Sequence, residues 1–208
     1  IKDYVDMAAH IEAQPDARAV VNFAPILLEQ LSDYAGQVHG FLRDGKPLRD
    51  SLLAALVGNE LPQEPQARLD LMNACLRANR DQLINRFEPY QKLAELAECF
   101  QEHPEGTSYV SDQFLADLLV WYHLAWLGHS LKQSAIAQRL IEKESLFDDL
   151  YRHELVKLIH DCIADLIPRY RKLAERGRSL EAGDLVMTGT LTPITPIEKG
   201  CAMRTMVS

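Results

Sequence analysis

Apolar positions along this chain recur mainly at helical spacing. Residues 2–13, KDYVDMAAHIEA, place Tyr4, Val5, Ala8, Ala9 and Ile11 on one side, the rhythm of a packed helix. Gln14-Pro15-Asp16 ends that pattern. Residues 18–23 then read as a strand, with Val20, Val21 and Phe23 as its apolar members. A helix follows at once over roughly 25–42, with Ile26, Leu27, Leu28 and Leu31 expected inside and Glu29, Gln30 and Asp33 outside. A strand feeding straight into a helix is the unit of an α/β barrel or layered sheet.

Downstream the pattern stays helical. Asp44-Gly45-Lys46-Pro47 predicts a turn, residues 48–56 a short helix, and residues 58–65 a loop holding Pro62 and Pro65. Over residues 66–100, Leu69, Met72, Leu76, Leu83 and Phe87 keep helical spacing, with a break expected near Phe87-Glu88-Pro89. Ser111-Asp112 reads as the start of a helix that carries Phe114, Leu115, Leu118, Leu119, Tyr122 and Trp126 and stops at Gly128. The last long helix, about 148–176, runs through Leu150, Leu155, Leu158, Ile159, Ile163 and Leu166, with a kink or junction expected at Pro168. After Gly177 the composition shifts, and residues 184–197, DLVMTGTLTPITPI, predict one or two short strands.

At 208 residues, 47% hydrophobic and 25% charged, the chain has the composition of an ordinary globular domain with its own core. A net charge of −8 and the lack of a Lys/Arg stripe argue against nucleic acid as a partner. No apolar run is long enough to span a bilayer, so no membrane partner is expected. Cys75, Cys99, Cys162 and Cys201 show no CxxC spacing; they read as small buried hydrophobes in a reducing, cytoplasmic compartment. Ile1 is not a start methionine, so the chain is expected to begin inside a longer protein, which leaves a secretion signal open.

Candidate chemistry is sparse. Trp121, Tyr122, His123 and Trp126 form a dense aromatic group of the kind that stacks on sugar rings; Trp121 is expected in the core, and Trp126 is the subsite candidate. His153 and His160 share a helix face but lie seven apart, not the four of a metal-binding pair. Asn22 ends the early strand, where a barrel carries active-site groups, although a capping or turn role is equally open. No nucleophile elbow, phosphate loop or dinucleotide fingerprint occurs.

Three blocks carry a resemblance to a known family. They are KDYVDMAAHIEAQPDARAVVNFAPILLEQLSDYA (residues 2–35), SDQFLADLLVWYHLAWLG (111–128) and LIPRYRKLAERG (166–177). In order and spacing, residues 1–177 resemble the N-terminal part of the family 57 glycoside hydrolases, the α-amylase and 4-α-glucanotransferase group. The resemblance implies a mainly α chain with a single early β-strand: the N-terminal fragment of an incomplete (β/α)7 barrel with its helical insertion. It also implies hydrolysis or transfer of α-glucans with retention, which needs two carboxyl groups about 5 Å apart. The family carries those carboxyls well downstream of the insertion and a His-Gln-Pro motif before the position of Ile1. After the third block, Arg178-Ser179-Leu180-Glu181 departs from the family's Gly-Gln-Ile-Glu-like motif. No catalytic residue, metal ligand or cofactor is therefore carried over, and the chain alone is expected to be inactive. Its implied partner is an α-glucan in the complete enzyme. An early strand without sheet neighbours implies self-association through its edge.

Residues 178–200, RSLEAGDLVMTGTLTPITPIEKG, resemble instead the C-terminal end of the fumarylacetoacetate hydrolase superfamily, in particular its 2-oxo-acid hydratases and decarboxylases. The resemblance places Thr188 and Thr190 at the substrate carboxylate. That chemistry requires a divalent metal on carboxylates. Glu142-Lys143-Glu144 has a suitable spacing, but its charged setting reads as a solvated helix face. Residues 178–208 are thus expected to be a short β-rich tail joined to an unrelated body. Two rival readings stand beside the glucan one: a metal-dependent 2-oxo-acid hydratase or decarboxylase, resting on the tail alone, and a non-catalytic helical interaction module.

Overall fold

A computed structural model describes residues 2–14, 20–21, 23–58, 61–174 and 186–187. Its helices are α1 (Lys2–Ala13), α2 (Pro25–Asp44), α3 (Ser51–Val57), α4 (Pro65–Leu76), α5 (Glu88–Glu102), α6 (Asp112–Trp126), α7 (His129–Lys132), α8 (Ala135–Lys143) and α9 (Asp149–Ala174). Their ends follow local chemistry. Pro25, Pro65 and Pro89 stand in the first helical positions of α2, α4 and α5, where a missing N–H is harmless. Asp50, Ser111 and Ser134 accept bonds from Leu53, Phe114 and Ala137 N–H and so cap α3, α6 and α8. Gly45, at φ 68°, closes α2 in the left-handed conformation.

The centre of the fold is α6. Leu115, Ala116, Leu118, Leu119, Val120, Trp121, Leu124 and Ala125 are all buried, so the helix is apolar nearly all round. Such a helix must be enclosed by others. Helices α3, α4, α5 and α9 pack against it, and α2 lies along α9. A second, smaller cluster joins Val5 of α1, Leu31 of α2 and Ile163 and Leu166 of α9. Two buried arginines tie loops to this body. Arg68 donates through Nε to Pro62 O at 2.7 Å and through its Nη atoms to Val110 O and Asp112. Arg152 donates to Leu56 O at 3.2 Å, which fixes the end of α3 on α9.

This architecture overturns the expected fold class. Apart from one short ladder the described chain is helical, not a barrel fragment with a helical insertion; the expected β-rich tail, except for Val186–Met187, lies outside the described residues. Of the expected strand over 18–23, Val20–Val21 form β1, and residues 18, 19 and 22 lie outside the described residues; β2 (Val186–Met187) is its parallel neighbour, with Val20 opposite Val186 and Val21 opposite Met187. A short apolar run between turn residues does not distinguish a strand from an extended connection. The helices bury their faces on one another around α6 and need no sheet to pack on.

Smaller corrections have local causes. Ile26 and Leu150, both expected inside, are 59% and 66% exposed because each lies at the first turn of its helix, beyond the packed stripe. Pro168 neither ends nor divides α9, which continues to Ala174. Bonds from Arg169 and Tyr170 to α1 hold the turn that follows the proline. Gly128 both follows α6 and starts α7. Of the cysteines, Cys75 is buried as expected, Cys99 is exposed, and Cys162 is half-buried; all three are free thiols. Cys201 lies outside the described residues.

Candidate functional site

One end of the helical body gathers residues from three distant segments, 2–35, 111–130 and 166–174. On α1, the Asp6 carboxylate accepts hydrogen bonds from His129 N at 2.7 Å, Ser130 N at 2.8 Å and Ser130 Oγ at 2.6 Å. It thereby caps α7, whose own N-cap residue, Gly128, offers no side chain. The glycine is needed for space: a Cβ there would lie 2.9 Å from Asp6 Oδ1. Burial acts to raise the Asp6 pKa, but the bonds from Ser130 and His129 outweigh it and hold the carboxyl below its ordinary value.

The third block closes on the same helix. Arg169 Nε donates to Glu12 Oε1 at 3.1 Å and Nη2 bonds the second carboxylate oxygen, a bidentate pair. Tyr170 donates its hydroxyl to Tyr4 O at 2.7 Å. Phe23 is held between two rings, stacked on Tyr4 at 4.9 Å and edge-on to Tyr170 at 4.8 Å. Segments far apart in sequence are thus fixed by charge-assisted bonds and ring packing.

Beside this junction stands the exposed aromatic. Trp126, the last residue of α6, is 41% exposed, and Lys2 Nζ lies over its ring at 5.4 Å. Tyr122 lies one turn back, with ring centroids 6.4 Å apart. Lys132 donates to Ala125 O at 2.8 Å and lies over the Phe87 ring. Burial, with Lys2 and Arg86 nearby, lowers its pKa. The aromatic group named from sequence is therefore divided. Trp121 is 1% exposed and belongs to the core, while Trp126 presents a face to solvent. His123 points inward, its Nδ1 2.8 Å from Leu119 O, and burial lowers its pKa so that the ring stays neutral.

Other candidates fall elsewhere. Asn22, Thr188 and Thr190 lie outside the described residues. Glu142 and Glu144 are both exposed. Among the described residues, no group of three or more His, Cys, Asp or Glu is placed to hold a metal ion. His153 packs on Phe41, and together they border a cleft of about 480 Å³ with Leu42, Gly45, Val57 and Gly58. No described helix is long and apolar enough to cross a membrane. Sequence reasoning missed Asp6, Ser130 and the Glu12–Arg169 pair. The one signal available was Gly128 before a polar turn, and nothing local names a carboxylate more than 120 residues away as its cap.

Asp6→Ala is expected to lower stability by about 1–2 kcal/mol, the range for losing a helix cap. Urea unfolding at neutral pH measures it. Because the folded-state pKa is depressed, the contribution is present above the ordinary carboxyl range and lost as pH falls through the folded value. The stability difference between native and variant proteins should therefore begin to narrow near pH 4 and close only below the depressed folded value. In comparisons with known proteins, no family model, curated protein or solved structure matches the chain.

Proposed function

We propose that this chain is a helical, non-catalytic part of an α-glucan-acting enzyme of the family 57 kind, with the Trp126 end facing glucan. The observation that carries this reading is the convergence of the three blocks. Asp6 of the first binds next to the end of the second, at His129 and Ser130, and Arg169 of the third binds Glu12 of the first. Segments that resemble one family and also pack as one unit have a common structural reason to occur together. A tryptophan 41% exposed at that junction supplies the apolar face on which a pyranose ring stacks. The free thiols of Cys75, Cys99 and Cys162 favour a reducing, cytoplasmic setting.

The chain is proposed to bind α-glucan without cleaving it. Retaining chemistry needs its two carboxyls on either side of one bond, and the resemblance assigns neither to a residue here. The test is release of reducing sugar from starch and maltooligosaccharides by the purified chain. No turnover is expected. Reproducible turnover that disappears on changing one carboxylate of the chain would overturn the reading. The hydratase alternative has less support, since its Glu142 and Glu144 stand exposed at the end of α8.

A further inference from the structure

We infer that His39 of α2 and His160 of α9 form a two-histidine site for a divalent transition-metal ion, clamping the two helices together. The two rings come from elements packed along one another, with centroids 5.6 Å apart and planes tilted by 32°. That separation suits a shared ion. A metal bound at about 2.0–2.1 Å from an imidazole nitrogen lies roughly 3.2 Å from the ring centroid, and two such rings at a tetrahedral angle have centroids about 5.2 Å apart.

The surroundings orient one ligand for the task. His160 Nδ1 lies 2.9 Å from Asp161 Oδ1, so its proton is held there and Nε2 keeps the free lone pair. A carboxylate on the far nitrogen is the arrangement that fixes the tautomer of metal-binding histidines. His39 makes no side-chain hydrogen bond among the described residues and is exposed, so its ring is available from solvent. The His160 side chain keeps 17% of its surface, enough for an ion to reach it. The charged groups nearby are Asp161, beside His160, and Asp44, which is paired with Arg43 and Lys46. Imidazole ligands suit zinc, copper and nickel. The protein supplies two ligands and water supplies the rest, since no described third His, Cys, Asp or Glu completes the set.

The experiment is thermal unfolding of the full chain at pH 7.5 with NiCl2 or ZnCl2, alongside calorimetric titration. Both metals should raise the unfolding temperature, by roughly 5 °C at a hundredfold excess over Kd. His39→Ala and His160→Ala should each weaken binding at least tenfold, while His153→Ala, two turns along the same helix, leaves it unchanged. Asp161→Ala should weaken it by about tenfold or more through loss of the orienting bond. His39 is exposed, so His39→Ala should fold as the native chain does. No stabilisation of the native chain, or equal stabilisation of His39→Ala, would overturn the site. An effect seen with zinc alone that persists in both histidine variants would assign the ion to thiols and overturn it equally.

Discussion

Replacing Trp121 with alanine should lower the stability of the chain by about 3–5 kcal/mol, the range for emptying a large aromatic site in a core. Its ring is 1% exposed in the centre of α6, tilted against Phe87 at 5.3 Å and edge-on to Phe147 at 6.5 Å. Its Nε1–H donates to Glu144 O at 2.8 Å, so truncation also strips a carbonyl of its partner. The urea midpoint should fall with little change of slope. Trp121→Phe keeps most of the ring and should lose only about 1–2 kcal/mol, chiefly the hydrogen bond and its unmet acceptor. A loss below ~1 kcal/mol for the alanine variant would show that α6 is not the centre of the core.

The second large effect is expected at Asp117, one turn earlier on α6. This carboxylate is 6% exposed and accepts bonds from Leu146 N at 2.9 Å, Phe147 N at 2.9 Å and Gln113 Nε2 at 2.8 Å. It holds a loop that its own sequence does not favour. Glu144 (φ 64°) and Leu146 (φ 60°) both lie in positive-φ conformations, and Ser145 N bonds Lys143 O at 2.7 Å across Glu144, a strained γ-turn. Asp117→Ala should cost about 2–3 kcal/mol, since two inward backbone N–H groups lose their acceptor. Glu144→Gly should act in the opposite direction, gaining roughly 0.5–1 kcal/mol by relieving the turn. The Trp121 bond uses only the backbone of residue 144 and survives that change. Chemical unfolding of the two variants side by side checks both signs, and a destabilised Glu144→Gly would contradict the strain assigned to the turn.

These residues also show which parts of the fold were legible in the sequence. Helices with a regular apolar stripe and a local stop or start were readable nearly to the residue. Residues 2–13 form α1, and Ser111 caps α6 through Phe114 N. Trp121 was placed in the core by its leucine neighbours, and it is buried there. The early strand was wrongly taken as the start of a barrel because four apolar residues after a proline turn carry no long-range information. Among the described residues its ladder neighbour lies more than 160 residues downstream. The polar contacts that fix loops were invisible for the same reason. Asp6 looks like any exposed acid of an amphipathic helix, and Asp117 like a polar interruption in an apolar run; each gains its role only when a distant backbone arrives. The site candidates divided likewise. Exposure distinguishes Trp126 from Trp121, and spacing alone did not show that His160 finds its ring partner on α2 instead of on its own helix.

The most direct test of the glucan reading uses the exposed tryptophan as its own reporter. Tryptophan emission of the full chain is titrated with maltoheptaose, with a β-linked glucan of similar length as the control. Only Trp126 faces solvent, so the signal separates into a buried Trp121 component and an accessible Trp126 component. The account predicts a saturable change with the α-linked sugar, none with the β-linked one, and loss of the response in Trp126→Ala while Trp126→Phe retains binding by calorimetry. No response up to about 10 mM maltoheptaose, where binding would be weaker than roughly −3 kcal/mol, would contradict it.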